Sequence, residues 1–253
     1  MERNPLWKEE DEKSMNVAVI FAGGIGRRMN QKALPKQFLK LHGKEIIIHT
    51  LEHFQNHEEI DGIVVACVED WIPFLEKLLK QYNMNKVKAV VPGGKTGQES
   101  IYHGLKKAEE LFGEEANVLI HDGVRPLIER KTITDCLQSI REHGSAITVA
   151  PVTETIIQVD EKERVDRVID RSKCLFARAP QGFRLKEILE AHERAIKEEK
   201  YDFIDSASIM QWNGHELFTV EGPVENIKIT TPMDYFTFKA LAEERENSQL
   251  YGC

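Results

Sequence analysis

Two periods of hydrophobic and polar positions alternate along this chain. Val17-Ala-Val-Ile-Phe21 is an apolar, β-branched run that meets glycines at once, the pattern of a strand buried on both faces. Ile47, Leu51 and Phe54 then recur at helical spacing. The alternation continues with a strand at Ile63–Cys67, a helix marked by Ile72, Leu75, Leu78, Leu79 and Tyr82, and a strand at Val87–Val91. A helix over Ser100–Leu111, a strand over Val118–His121, a helix over Ile133–Ile140 and a strand over Ala146–Ala150 follow. Strands alternating with helices of this length predict an α/β fold: a Rossmann-like, mostly parallel sheet with helices on both faces. In such folds ligands bind beyond the carboxyl ends of the strands, so the residues just after each strand are the first candidates for chemistry.

The pattern breaks once. Thr155–Val159 and Arg167–Ile169 flank the turn-like Asp160-Glu-Lys-Glu-Arg164, which predicts an inserted β-hairpin arm at about 152–172. Helical patterns resume at Leu185–Glu198, Ser206–Trp212 and Pro232–Arg245. The expected organisation is a flexible extension at 1–15, one domain at 16–246 carrying the arm, and a tail at 247–253.

Composition narrows the partners. The chain has 253 residues, 34 Lys and Arg against 42 Asp and Glu, and a formal net charge of -8. An acidic balance argues against nucleic acid or an anionic membrane as the main partner, because both demand excess Lys and Arg. No run approaches the ~20 apolar residues that span a bilayer, and the charged N-terminus lacks an apolar signal region, so a cytoplasmic protein is expected. Four scattered cysteines with no CxxC pair fit reduced thiols rather than disulfides or zinc.

Four segments could carry chemistry. Phe21-Ala-Gly-Gly-Ile-Gly-Arg-Arg-Met29 places Ala22, Gly23, Gly24 and Gly26 after a buried strand, where backbone N–H groups can approach phosphate oxygens. It lacks the third glycine of a dinucleotide fingerprint and the Gly-Lys-Ser/Thr ending of a P-loop. Arg27, Arg28 and Lys36 instead offer side-chain cations for a polyphosphate. Gly94-Lys95-Thr96 imitates a P-loop ending, but the leading position is Ala89; Pro92–Ser100 reads as a loop feeding a helix. In His121-Asp-Gly-Val-Arg-Pro126, Asp122 at the sheet edge can hold Mg²⁺ against phosphates, and Arg125 can pair a phosphate or form a structural pair with Asp122. Lys228, between two Ile residues in Asn226–Pro232, is expected on a short strand, facing opposite to them into solvent or into a site.

Taken jointly and in order, AGGIGRRM, LPKQFL, GGKTGQES, HDGVRP, APVTETI, DRS, RAPQGF and NIKITTP resemble the cytidylyltransferases that make CDP-polyols. Two branches of that family act on methylerythritol phosphate and on ribitol 5-phosphate, and the resemblance runs from about Val17 to Ala242. It implies transfer of CMP from CTP to a polyol phosphate, with pyrophosphate released and Mg²⁺ as cofactor. By matching position, Arg28, Lys36 and Lys228 would be catalytic, and Ala22, Gly23, Gly24, Gly26, Gly94 and Ser100 would hold the nucleotide. Asp122 would bind the metal; Asp122, Arg125, Thr155 and Arg171 would surround the acceptor, with Thr155 and Arg171 delivered by the arm of a second subunit in a homodimer. Gly97, Ile157 and Ile204 depart from the pattern: the first usually an Arg, the second often a Lys in the methylerythritol branch, the third commonly a Thr. The acceptor expected is a pentitol phosphate, with methylerythritol phosphate as alternative and a non-catalytic nucleotide binder as a distant one.

Overall fold

The structure, a computed structural model, describes residues 14–23 and 34–251. The described residues form eleven strands and seven α-helices, beginning with β1 (Asn16–Ala22), β2 (Lys40–Leu41), β3 (Lys44–Glu45), α1 (Ile46–Gln55), β4 (Gly62–Cys67), α2 (Ile72–Gln81) and β5 (Val87–Pro92). After these come α3 (Gly97–Phe112), β6 (Asn117–Asp122), α4 (Arg130–His143), β7 (Ser145–Pro151), β8 (Ile156–Val159) and β9 (Val165–Ile169). The chain closes with β10 (Leu175–Arg184), α5 (Leu185–Lys197), α6 (Ser206–Trp212), β11 (Thr219–Glu221) and α7 (Pro232–Tyr251).

A seven-stranded sheet of order β11-β7-β10-β6-β1-β4-β5 forms the centre. Every neighbouring pair is parallel except those of β10, which runs antiparallel to both β6 and β7. The apolar residues of β1 serve both faces: Ala18 and Ile20 pack with α1, α2 and α4, while Val17 and Val19 pack with α3, α5 and α6. Burial on both faces is why these strands read as continuous apolar runs.

The short strands β2, β3 and β11 add to the expected set, helix α7 runs on to Tyr251 rather than ending at Arg245, and three further features differ from the sequence expectation. The strand β10 was not anticipated, because Arg178, Pro180 and Gly182 interrupt any alternation. Helix α3 begins at Gly97, one turn before Ser100, behind a Thr96 cap whose hydroxyl accepts the Glu99 N–H. The stretch around Lys228 forms no strand and pairs with none among the described residues; Ile229 is buried while Lys228 is partly exposed, so the two side chains differ in burial without a ladder.

Candidate active site

Parallel register brings the strand ends together. Ala22 lies beside Cys67, Cys67 beside Pro92, and Phe21 beside Asp122, so the segments after β1, β5 and β6 open on one edge. Two adjoining lobes sit there. The first, of about 360 Å³, is walled by Ala22, Gly23, Lys36, Gly94 and Ser100. The second, of about 410 Å³, runs back between α3, α5 and α6 and includes Arg125, Arg178 and Gln181. The lobes share Phe21, Thr96, Gly97, Asp122 and Lys228.

Local hydrogen bonds build the first lobe. Gln37, buried, donates to the Ala22 carbonyl at 2.7 Å, which fixes the turn bearing Lys36 against the end of β1. Ser100 Oγ donates to the Thr96 carbonyl at 2.8 Å and accepts the Gly94 N–H at 2.9 Å, so one hydroxyl closes the loop onto the first turn of α3. A Cβ on Gly94 would meet Glu99 Cβ at 2.5 Å, and one on Gly23 would meet Ser100 Oγ at 2.9 Å. Side chains at either glycine would push the loops apart, so the glycines are needed for close approach.

Where the lobes meet, Asp122 carries the electrostatics. Its Oδ1 lies 2.5 Å from Lys228 Nζ and its Oδ2 2.7 Å from Arg125 Nε. Burial pushes the Asp122 carboxyl up, but Lys228 and Arg125 outweigh it and hold the group below the usual carboxylate range. The carboxylate is therefore ionised at neutral pH. Arg125 is locked further by donating Nη1–H to the Asn226 carbonyl at 2.9 Å, and Asn226 Nδ2 donates to the Ala179 carbonyl at 2.8 Å. The Ile229 N–H donates to the Val124 carbonyl, which holds the Lys228 segment across the sheet edge. The Lys228 side chain is 40% exposed while that of Asp122 is 7% exposed, so the ammonium has room to turn to a ligand.

The residues picked from sequence divide cleanly. Ala22, Gly23, Lys36, Gly94, Ser100, Asp122, Arg125 and Lys228 line the two lobes. Gly24, Gly26 and Arg28 lie outside the described residues. Thr155 and Arg171 sit exposed on the arm and line neither lobe; Arg171 Nη1 donates to the Thr153 carbonyl at 2.8 Å. Among lining residues, the sequence reading passed over Phe21, Thr96, Arg178, Gln181 and Asp205. Thr96 had a usable signal, the Thr-x-x-Glu spacing of a helix start. Arg178 opens the RAPQGF segment of the family resemblance but had no periodicity to assign it a role, since its placement depends on an irregularity in the pairing of β10 with β7 between Ala177 and Gln181. Gly97 borders both lobes, and a Cβ there would meet nothing within 4 Å.

As a metal site, Asp122 offers the carboxylate oxygens that Mg²⁺ prefers, and Mg²⁺ commonly takes one or two carboxylates with substrate phosphates completing its shell. Among the described residues no group of three or more His, Cys, Asp or Glu side chains could hold an ion, so a bound nucleotide would have to share it.

The comparisons agree on the family. The family model of 2-C-methyl-D-erythritol 4-phosphate cytidylyltransferase (IspD) matches residues 16–244. A ribitol-5-phosphate cytidylyltransferase of Streptococcus agalactiae serotype V is 52% identical, over 94% of this chain and 99% of its own length. A 2-C-methyl-D-erythritol 4-phosphate cytidylyltransferase of Clostridium botulinum is 35% identical over 91% of this chain and 99% of its own. Among solved structures, 4-diphosphocytidyl-2C-methyl-D-erythritol synthase from Anaerococcus prevotii superposes with a TM-score of 0.79 at 26% identity, covering 91% of this chain and 96% of that one. With its sheet-edge lobes, its Asp122–Lys228 junction and these matches, the chain belongs to the 2-C-methyl-D-erythritol 4-phosphate cytidylyltransferase family and is a nucleotidyltransferase of the cytidylyltransferase kind.

Proposed function

We propose that this enzyme transfers CMP from CTP to a pentitol phosphate, ribitol 5-phosphate foremost, and releases pyrophosphate. The observation that carries the reading is the pair of lobes meeting on Asp122 and Lys228, the shape a two-substrate transfer requires. The choice of acceptor rests on relatives: proteins 50 to 52% identical bear the ribitol-5-phosphate name, whereas at 34 to 36% identity relatives of both names occur.

In this reading the first lobe takes CTP. Gly23 and the glycines that follow it let backbone approach the triphosphate, and Arg28 and Lys36 offset charge on the α-phosphate and the departing pyrophosphate. Gly94 and Ser100 flank the cytosine. Asp122 would hold a Mg²⁺ ion shared with the phosphates; when bound, that ion neutralises charge developing on the phosphoryl oxygens.

The second lobe takes the acceptor, whose phosphate oxygen attacks the α-phosphorus in line. One P–O bond forms and the bond to pyrophosphate breaks, so CTP and pentitol phosphate become CDP-pentitol and pyrophosphate. The attacking oxygen is already anionic, so no strong base is needed, and the residues supply charge and position. Arg125 and Lys228 approach the acceptor from this chain, and Thr155 and Arg171 from the arm of a second subunit.

The test is pyrophosphate release from CTP with a panel of polyol phosphates. Release with ribitol 5-phosphate supports the reading. Release with methylerythritol phosphate alone would replace the acceptor, and no release with any acceptor would leave only a nucleotide binder. In the same assay Lys36→Ala should lower kcat on the order of 10²–10³ while its thermal midpoint stays at the wild-type value. A fully active variant would refute the role given to Lys36.

A further inference from the structure

The second lobe contains a cation without a counter-ion. Arg178 lies in the pairing irregularity of β10, half-buried, with its Nε buried and without a hydrogen-bond partner. Among the described residues its guanidinium makes no hydrogen bond or ion pair; its contact is the Phe176 ring, 5.5 Å from Cζ to the centroid. The other charges of the lobe are engaged with one another, with backbone or with the Gln181 amide. Arg125 and Lys228 occupy Asp122. Asp205 accepts from Gln181 Nε2 at 2.9 Å and from the Ser208 N–H at 2.9 Å. Burial, and then the neighbouring Arg125 guanidinium, both disfavour the charged form of Arg178. A guanidinium stays ionised even so. What Arg178 lacks is an anion, and none of the described residues supplies one.

The acceptor in the functional reading carries one group of matching chemistry. A pentitol's hydroxyls are neutral and need no charge opposite them, whereas a phosphomonoester is close to a dianion at neutral pH. A guanidinium binds such a group through two parallel N–H···O bonds. Arg178 lines the second lobe and is absent from the walls of the first, where Lys36 stands, so the CTP triphosphate is not its partner.

Resting on that functional reading, we propose that Arg178 binds the phosphate of the acceptor, from the same chain and beside Lys228 and Arg125. The experiment compares wild type, Arg178→Gln and Arg178→Lys in pyrophosphate release, varying CTP and ribitol 5-phosphate separately. Calorimetric titrations with ribitol 5-phosphate and with unphosphorylated ribitol accompany it. Arg178→Gln should raise KM for ribitol 5-phosphate roughly tenfold or more, with KM for CTP within about twofold. Arg178→Lys should recover part of the loss, and ribitol binding should not distinguish the three proteins. An unchanged acceptor KM in Arg178→Gln overturns the inference, as does an equal rise in both KM values. So does a shift to a slower-sedimenting species with acceptor KM unchanged, which would place Arg178 in a subunit interface. The two levels separate. If wild type uses only methylerythritol phosphate, the acceptor is corrected, yet the KM of that phosphate still decides the role of Arg178. If wild type uses no polyol phosphate, both readings fall together.

Discussion

Two histidines show how burial of single residues shapes this enzyme. His121 is fully buried at the end of β6, where its Nε2–H donates to the Arg125 carbonyl at 3.1 Å while Nδ1 has no partner among the described residues. His192 on α5 is 1% exposed, packs on the Tyr102 ring, and finds no partner for either nitrogen among the described residues. Burial pushes their pKa values down to about 3 and about 4. Both rings are neutral in the folded state, while the unfolded chain protonates them near 6.5. Between those limits the unfolded chain binds more protons, so stability is full above about pH 6.5 and falls as pH drops toward 4. For His192 alone the loss over that window is about 3 kcal/mol. Denaturant titrations at a series of pH values should show the fall, and His192→Leu should flatten it by about that amount with little change at pH 7. An unaltered slope in His192→Leu would mean the ring is already solvated. At this scale the sequence is most legible where a strand stops: Asp122 follows from an apolar run meeting polar residues, whereas Gly94 and Ser100 were assigned to the nucleotide by the family resemblance. Arg178 and His192 were not legible, because partnerless burial is a property of packing, and no local pattern announces it.

Among the elements, β10 does most to position the site and was least visible beforehand. Its antiparallel insertion between β6 and β7 joins the two halves of the sheet and carries Arg178 and Gln181 to the second lobe. A strand with Pro180 and Gly182 inside it violates ordinary strand composition. Gly182 has a packing reason: a Cβ there would lie 2.6 Å from Ile140 Cδ1 on α4 and 2.9 Å from Leu119 Cδ2 on β6. Both neighbours are buried core side chains with little room to yield. Gly182→Ala should therefore destabilise by about 1–3 kcal/mol, read as a lower denaturant midpoint at an unchanged m-value. A neutral or stabilising result would mean that helix α4 can move away from the sheet at no cost. Strands β1, β4, β6 and β7, by contrast, are located within a residue or two, because burial on both faces writes itself as a continuous apolar run. The short strand β11 has three residues, too few for any periodicity to register.

For the whole molecule, the arm exposes an apolar stripe that its own chain leaves uncovered. In the β8–β9 hairpin Ile157 pairs with Val168 and Val159 with Val165, so four apolar side chains share one face. All four are at least half exposed, from 50% for Ile157 to 64% for Val168. A two-stranded hairpin is marginal in water by itself, and an exposed apolar stripe of this kind calls for a cover. The same chain exposes apolar side chains near the second lobe: Ile204 at its rim, 95% exposed, and Phe176 close by on β10. A homodimer in which each arm lies over the partner would bury both sets. It would also explain why Thr155 and Arg171, which the family resemblance assigns to the acceptor, line neither lobe of their own chain. On this proposal the wild type sediments as a dimer at micromolar concentration. Val168→Asp would set a carboxylate in the stripe, shift the protein toward monomer and lower turnover roughly a hundredfold, because charge-stabilising donors would then be missing from each site. Circular dichroism of the variant should match wild type, since the stripe contributes nothing to the core of its own chain. A variant that stays dimeric and active would place the interface elsewhere, and a monomeric variant with full turnover would remove Thr155 and Arg171 from the reaction.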